Sequence, residues 1–367
     1  MSTKTAFSAH QVGSISLNNR LVMAPMTRSR AINNQPNKLV ATYYEQRASA
    51  GLIISEGVSP SPNGLGYARM PGIFSEAQVE AWKEVTAAVH RKGGKIVAQL
   101  MHAGRMAHGL NLPKGARVLA PSPVAATGEM WTDQEGKKEL PIPQGMSAGQ
   151  VEEVIVEFIT AALNAVEAGF DGIELHAANG YLLEQFLSPH TNRRTDNYGG
   201  SIEKRSRLLL EIAEAVGDAI GRDKVGVRIS PYGVAGDMPH YPEIDATYTH
   251  VATKLNDLGI AYIHIADHSA SGAPEVPLSL KRTIREQFTN TLILSGGYTI
   301  SRAEEDLSSG IADLVAFGKP FISNPDLVDR LRKGLPLNIK LDASTLYSST
   351  AKGYTDYPVF EEEMVNA

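Results

Sequence analysis

The sequence contains no cysteine. That absence excludes disulfides, thiolate nucleophiles, iron–sulfur clusters and cysteine-ligated zinc together. There is no apolar run of 18 residues, the length a helix needs to cross a bilayer. The first residues, MSTKTAFSAHQVGS, hold no apolar stretch of signal-peptide length. A cytoplasmic protein without a membrane partner is therefore the expectation. Basic runs are missing too, and 35 Lys and Arg against 40 Asp and Glu leave a net charge of −5, which argues against nucleic acid as a partner. What is present is ordinary: 43 % hydrophobic and 20 % charged residues in a chain of 367. Such a chain can bury a sizeable core as one large domain or two average ones. Monomer and homodimer are both compatible with it.

Read in order, the chain opens with a hairpin over Phe7–Asn19 that turns at Gly13. Short apolar runs then recur near residues 22, 53, 97, 173, 227, 263, 293 and 315. Helical stretches separate them. The spacing predicts helices over Lys38–Ala50, from Ser75 to Gly93, from Ser147 to about Ala168, and over about 202–219, 245–258, 278–288, 301–309 and 325–333. Ser75 with Gln78, and Ser147 with Gln150, have the spacing of capping boxes. Alternating strands and helices imply parallel strands joined by right-handed crossovers, and eight such units close a (β/α)₈ barrel. The rival is a doubly wound open sheet, whose GxGxxG signature does not follow the first run, LVMAP. The α/β class and a TIM barrel are thus predicted, as a single domain over 1–367. Three additions account for the extra length: the hairpin cap, a Pro- and Gly-rich excursion over 101–145 after the third strand, and a tail over 342–367.

In a barrel the C-terminal strand ends converge on one face. After the run Phe170–Leu175 come His176, Asn179 and Tyr181. The spacing of His176 and Asn179 would bring both onto one oxygen if they shared a helical turn; Tyr181 would then lie about 140° away, so the loop decides whether it joins them. After strands seven and eight come Gly296–Gly297 and Gly318–Lys319, where barrels commonly bind phosphate. The competing reading is that Gly296–Gly297 make only a tight turn. Gln99 can donate and accept, as the edge of a flavin pyrimidine requires. Arg228 is a permanent cation inside the barrel mouth and calls for an anion. Alone, each is as readily structural; with the phosphate loops they favour FMN. His264 and His268 have metal-like HxxxH spacing, but His176 lacks the carboxylate partners a barrel hydrolase would need, so no metal is expected.

The motifs NNRLVMAPMTRSRA, QLMHAGR, GFDGIELHAANGYLLEQFLSPHTNRRTDNYGGSIEKRSR, VRISP, SGGY, AFGKPFISNPDL and GYTDYP resemble those of the Old Yellow Enzymes over about residues 5–360. These are FMN-containing, NAD(P)H-dependent ene-reductases, and the bacterial N-ethylmaleimide reductases are the nearest in style. The resemblance implies that Pro25 and Thr27 lie against the flavin and that Gly57, Gln99 and Arg228 hold its ring. It assigns the phosphate to Gly296, Gly297, Gly318 and Lys319. It further implies that His176 and Asn179 hold the oxygen of an electrophilic alkene, that Tyr181 donates the proton, and that Tyr67, Met101 and Tyr347 line the substrate side. The implied reaction is ping-pong, with hydride passing from NADPH or NADH to flavin N5 and on to the alkene. Two positions depart from the family pattern: Met101 stands where tryptophan is common, and Lys319 where arginine is usual.

Two other classes share parts of this pattern. A sugar-phosphate isomerase or aldolase barrel would keep the glycine loops, but would want a Schiff-base lysine or a catalytic carboxylate where Gln99, His176 and Arg228 stand. A flavin-binding sensor would keep Gln99 and Arg228 without needing Tyr181.

Overall fold

The computed structural model describes residues 5–360, so the end of the tail lies outside the described residues. In chain order the strands are β1 (His10–Val12), β2 (Ile15–Leu17), β3 (Leu21–Met23), β4 (Leu52–Val58), β5 (Ile96–Leu100), β6 (Leu119–Ala120), β7 (Glu129–Thr132), β8 (Gly136–Glu139), β9 (Gln144–Gly145), β10 (Gly172–Ala177), β11 (Val225–Ile229), β12 (Tyr262–Ala266), β13 (Thr291–Ser295) and β14 (Leu314–Phe317). The helices are α1 (Lys38–Glu45), α2 (Glu76–Arg91), α3 (Ala148–Glu167), α4 (Leu182–Leu187), α5 (Ile202–Ile220), α6 (Ile244–Leu258), α7 (Leu278–Gln287), α8 (Ile300–Ser309), α9 (Lys319–Ser323) and α10 (Leu327–Lys333). Strands β3, β4, β5 and β10 to β14 close a barrel in sequence order, every pair parallel. The eight predicted runs are its staves, and every residue of these strands is buried, as parallel strands under helices require.

Local chemistry explains the helix starts. Both capping boxes form: Ser75 and Gln78 satisfy each other's backbone at the start of α2, and Ser147 and Gln150 do so at α3. The hairpin cap is β1 paired antiparallel with β2 across Gly13. The excursion over 101–145 carries the antiparallel pair β7–β8 and a short parallel bridge between β6 and β9.

Several boundaries move. Helix α1 ends at Glu45 instead of Ala50, because the Arg47 guanidinium turns inward to donate to the carbonyls of Phe321 and Ile322, at 2.7 and 2.8 Å. The strand expected over Phe170–Leu175 is β10, two residues later. Asp171 is drawn out of it by the backbone N–H of Ile96, at 2.9 Å, while pairing with β11 carries the strand on through Ala177. Helix α4, absent from the sequence reading, follows at once, with all six of its residues buried. Burial on every side, Glu184 and Gln185 included, leaves no amphipathic periodicity to read.

Candidate active site

The shift of β10 places His176 inside the barrel and not after it. Its register partner on β11 is Arg228, and Glu174, one pleat below, is the partner of Gln99 on β5. The chain then leaves the barrel through two successive left-handed residues, Asn179 (φ +60°) and Gly180 (φ +76°), and Tyr181 caps α4. His176 and Asn179 therefore share no helical turn. This corrects the spacing argument: a strand end and a left-handed turn bring the two to one cavity. A Cβ on Gly180 would meet the Ala235 carbonyl at 2.6 Å, so only glycine fits there.

That cavity, about 1070 Å³, opens over the C-terminal strand ends. Pro25, Thr27, Gln99, His176, Asn179, Tyr181, Arg228, Tyr67, Met101 and Tyr347 all line it. Gly57, Gly296, Gly297, Gly318 and Lys319 do not. Gly57 lies beside Gln99 in register but backs onto Met101, whose sulfur would sit 2.7 Å from a Cβ there. Gly296 and Gly297 follow β13, with φ of +142° and +62°, and Gly318–Lys319 follow the adjacent β14. Ala270 crowds Gly297, whereas a Cβ at Gly318 would meet only Met26, 3.7 Å away. Met26 stands between Pro25 and Thr27 of the cavity wall, so Gly318 lies close behind that wall.

Two groups in the cavity wall lack partners. Arg228 is 6 % exposed, yet its guanidinium forms no hydrogen bond or ion pair with any described residue, and its Nε is wholly buried. Glu174 favours its charge from a distance, without an ion pair. His176 is buried with Nδ1 unpartnered; burial, and then the field of Arg228, hold it well below the usual imidazole range, so the ring is neutral. Unmade hydrogen bonds on buried polar atoms are costly, and this pair marks a place for an anionic or acceptor-rich ligand. An FMN ring meets that requirement, with Gln99 beside it.

The tyrosine pair is the proton-bearing element. The Tyr181 and Tyr67 hydroxyls lie 2.9 Å apart, and the Tyr181 ring stands edge-on to His176 at 4.9 Å between centroids. Burial raises both phenols above their ordinary range, so each keeps its proton at neutral pH. Asn179 Oδ1 lies 2.6 Å from His268 Nε2. His264 sits deeper, against Glu174 and Ser295, and so the two HxxxH histidines serve different neighbours.

The Asn179 turn rests on Glu184, buried in α4. Its carboxylate accepts from Gly180 N (2.5 Å), Ser230 Oγ (2.7 Å) and Tyr248 OH (2.8 Å), and Ser230 Oγ in turn accepts from Asn179 N (2.9 Å). Burial pushes the Glu184 carboxyl up to about 7. A carboxyl raised on folding takes up a proton as the chain folds. Its contribution is fully present below the unfolded value of 4.5 and is lost as pH rises to about 7. In urea unfolding, Glu184→Gln should gain stability relative to the parent between pH 5 and pH 8, by up to about 3 kcal/mol.

The cavity roof reaches beyond the expected Tyr347. Trp131 and Met130 of β7 and Lys137 of β8 cover one side, and residues 343–350 of the tail cover the other. Arg69 joins them, pairing with Asp133 and donating to the Tyr347 carbonyl at 2.8 Å. Arg28 and Arg30, both fully buried, tie the tail down through the carbonyls of Thr345, Leu346 and Gly353. Two arginines in the stretch TRSR beside an apolar strand were the available signal.

Comparison with known proteins places this geometry. The model of the NADH:flavin oxidoreductase / NADH oxidase family matches residues 6–338. The chain is 41 % identical to 12-oxophytodienoate reductase 7 of Oryza sativa subsp. japonica, over 96 % of this chain and 94 % of that protein. It is 40 % identical to a probable flavin mononucleotide-dependent alkene reductase of Leishmania infantum, with 95 % of each chain covered. Morphinone reductase in complex with tetrahydroNAD superposes with a TM-score of 0.91 at 42 % identity, covering 97 % of both chains.

Proposed function

Since the chain belongs to the Old Yellow Enzyme family of FMN-dependent NADH:flavin oxidoreductases and alkene reductases, we propose that it reduces the activated C=C bond of α,β-unsaturated carbonyl, imide or nitro compounds at the expense of NADPH or NADH. The observation that carries this reading is the unpartnered pair in the cavity wall, Arg228 and His176, with Tyr181 beside them. FMN, when bound, supplies the hydride exchange between nicotinamide and alkene.

Arg228 offers a fixed positive charge to a ring that becomes negative on reduction, and Gln99 offers hydrogen bonds to its edge. Pro25, Thr27 and Gly57 are assigned to the ring, and Gly296, Gly297, Gly318 and Lys319 to the phosphate. Lys319 is exposed at the head of α9, so it meets a phosphate as a point charge without the fork of an arginine. On the substrate side a neutral His176 donates one hydrogen bond, and the Asn179 amide, with Oδ1 engaged by His268, keeps its N–H groups as donors. Both meet the substrate's oxygen and favour the enolate-like charge that develops on it. Tyr181 then gives its proton to Cα as general acid. Tyr67 donates to the Tyr181 oxygen, which leaves the Tyr181 proton free for Cα, and Met101 and Tyr347 shape the remaining wall. The arrangement counts against a flavin sensor, which has no use for a buried phenol at this point.

His176→Ala should weaken binding of phenols, which present an oxygen as the substrate does, by up to about tenfold, the loss of one buried hydrogen bond. Titration of the flavin-bound protein with a substituted phenol, followed by absorbance, measures it. Unchanged affinity would remove the oxygen site from His176.

A further inference from the structure

Gln99 is held from below. Its Nε2 donates to Glu174 Oε1 at 2.7 Å, and Glu174 Oε2 lies 3.0 Å from His264 Nδ1. His264 Nε2 lies 3.2 Å from Ser295 Oγ, which also lies 3.1 Å from the Ile265 carbonyl. The Glu174 and His264 side chains have no exposure at all. Nothing in the proposed reaction uses either of them.

The protons on this chain can be counted. If Ser295 donates to the Ile265 carbonyl, it accepts from His264 Nε2. Nδ1 must then carry a second proton or accept one from Glu174. If Ser295 donates to Nε2 instead, Nδ1 bears the single proton of the ring and donates to Glu174. A bare lone pair on Nδ1 facing a bare carboxylate oxygen at 3.0 Å would be repulsive. In every arrangement that remains, one proton lies between Nδ1 and Oε2. With the Gln99 Nε2 group placed 2.7 Å from it, Oε1 is the acceptor of that contact. The end of the Gln99 amide that meets it is the NH₂ group, and the Gln99 carbonyl, which has no partner among the described residues, is left for the cavity.

We infer that Glu174, its Oε2 against His264 and its Oε1 accepting from Gln99 Nε2, is a positioning residue that holds Gln99 with its carbonyl toward the cavity, so that the site selects a heteroaromatic ring presenting an N–H there. The pyrimidine edge of a flavin presents one at N3. The inference rests on the proposed function for the place of the ring, and goes beyond it in naming which end of Gln99 reads the ring and what fixes that end. A role confined to packing would leave the hydrogen bond to N3 untouched.

The test uses FMN labelled with ¹⁵N at N3, bound to the full-length protein, with Gln99→Leu, Glu174→Leu and the double variant beside the parent. In the parent the N3–H resonance should lie downfield of free FMN. Each single variant should lose that displacement and bind FMN about tenfold more weakly, and the double variant should be no worse than either, since Glu174 acts through Gln99. If Glu174→Leu does not fold, Glu174→Asp, which withdraws the acceptor by one methylene, takes its place in the cycle. An N3–H signal in the Glu174 variant identical to the parent's, or single-variant effects that multiply, would overturn the inference. A parent that binds FMN with N3–H undisplaced would overturn it and leave the proposed function standing; a parent that binds no FMN would overturn both.

Discussion

Tyr181→Phe should slow reoxidation of the reduced enzyme by an enone about 10²- to 10⁴-fold while leaving reduction by NADPH within about twofold, the range lost when a general acid is removed. The difference between the half-reactions is what matters. Tyr181 lines the cavity beside His176, carries its proton at neutral pH because burial opposes ionisation, and shares a hydrogen bond with Tyr67. Proton delivery to carbon belongs only to the half-reaction with alkene. Phenylalanine keeps the ring against His176 and removes the hydroxyl, with its proton and its hydrogen bond to Tyr67. Stopped-flow absorbance resolves the two phases; equal losses in both would make Tyr181 a packing residue, and no loss in either would pass the proton to water or another group.

Arg228→Met should move two quantities in opposite directions. Without ligand the parent buries a guanidinium that no described residue pairs, and replacing a buried ion by an apolar group of similar volume commonly stabilises by about 1–4 kcal/mol. The apoprotein of the variant should therefore unfold at higher urea than the parent apoprotein. FMN affinity should fall about 10²-fold or more, as when one partner of a buried charged contact is truncated. Urea unfolding and quenching of FMN fluorescence give the two numbers. A variant that is less stable but binds FMN normally would make Arg228 a structural residue.

The barrel was legible because its eight staves are short apolar runs at regular spacing, and two capping boxes marked helix starts. Ten of the side chains expected at the site line one cavity for the same reason: strand ends of a barrel converge. What escaped were features without a local signature. The two-residue slip of β10 turned on the Asp171 side chain accepting from Ile96 N at the start of the neighbouring β5. The Asn179–Gly180 turn is held by Glu184, whose partners Ser230 and Tyr248 lie on β11's exit loop and α6. The roof joins Arg69 to Asp133 and Tyr347, and the Glu174–His264 contact spans two strands. Each is a long-range pairing of polar groups, and a single sequence carries no periodicity for such pairings.

The central claim, a flavin-dependent alkene reductase at the mouth of the barrel, meets its most direct test in one anaerobic cuvette. The purified protein, supplied with FMN if needed, should show the flavin absorbance bands, lose them on addition of NADPH or NADH, and regain them on addition of 2-cyclohexenone. A protein that takes up no flavin, or whose bleached flavin stays bleached when the enone is added, would contradict it.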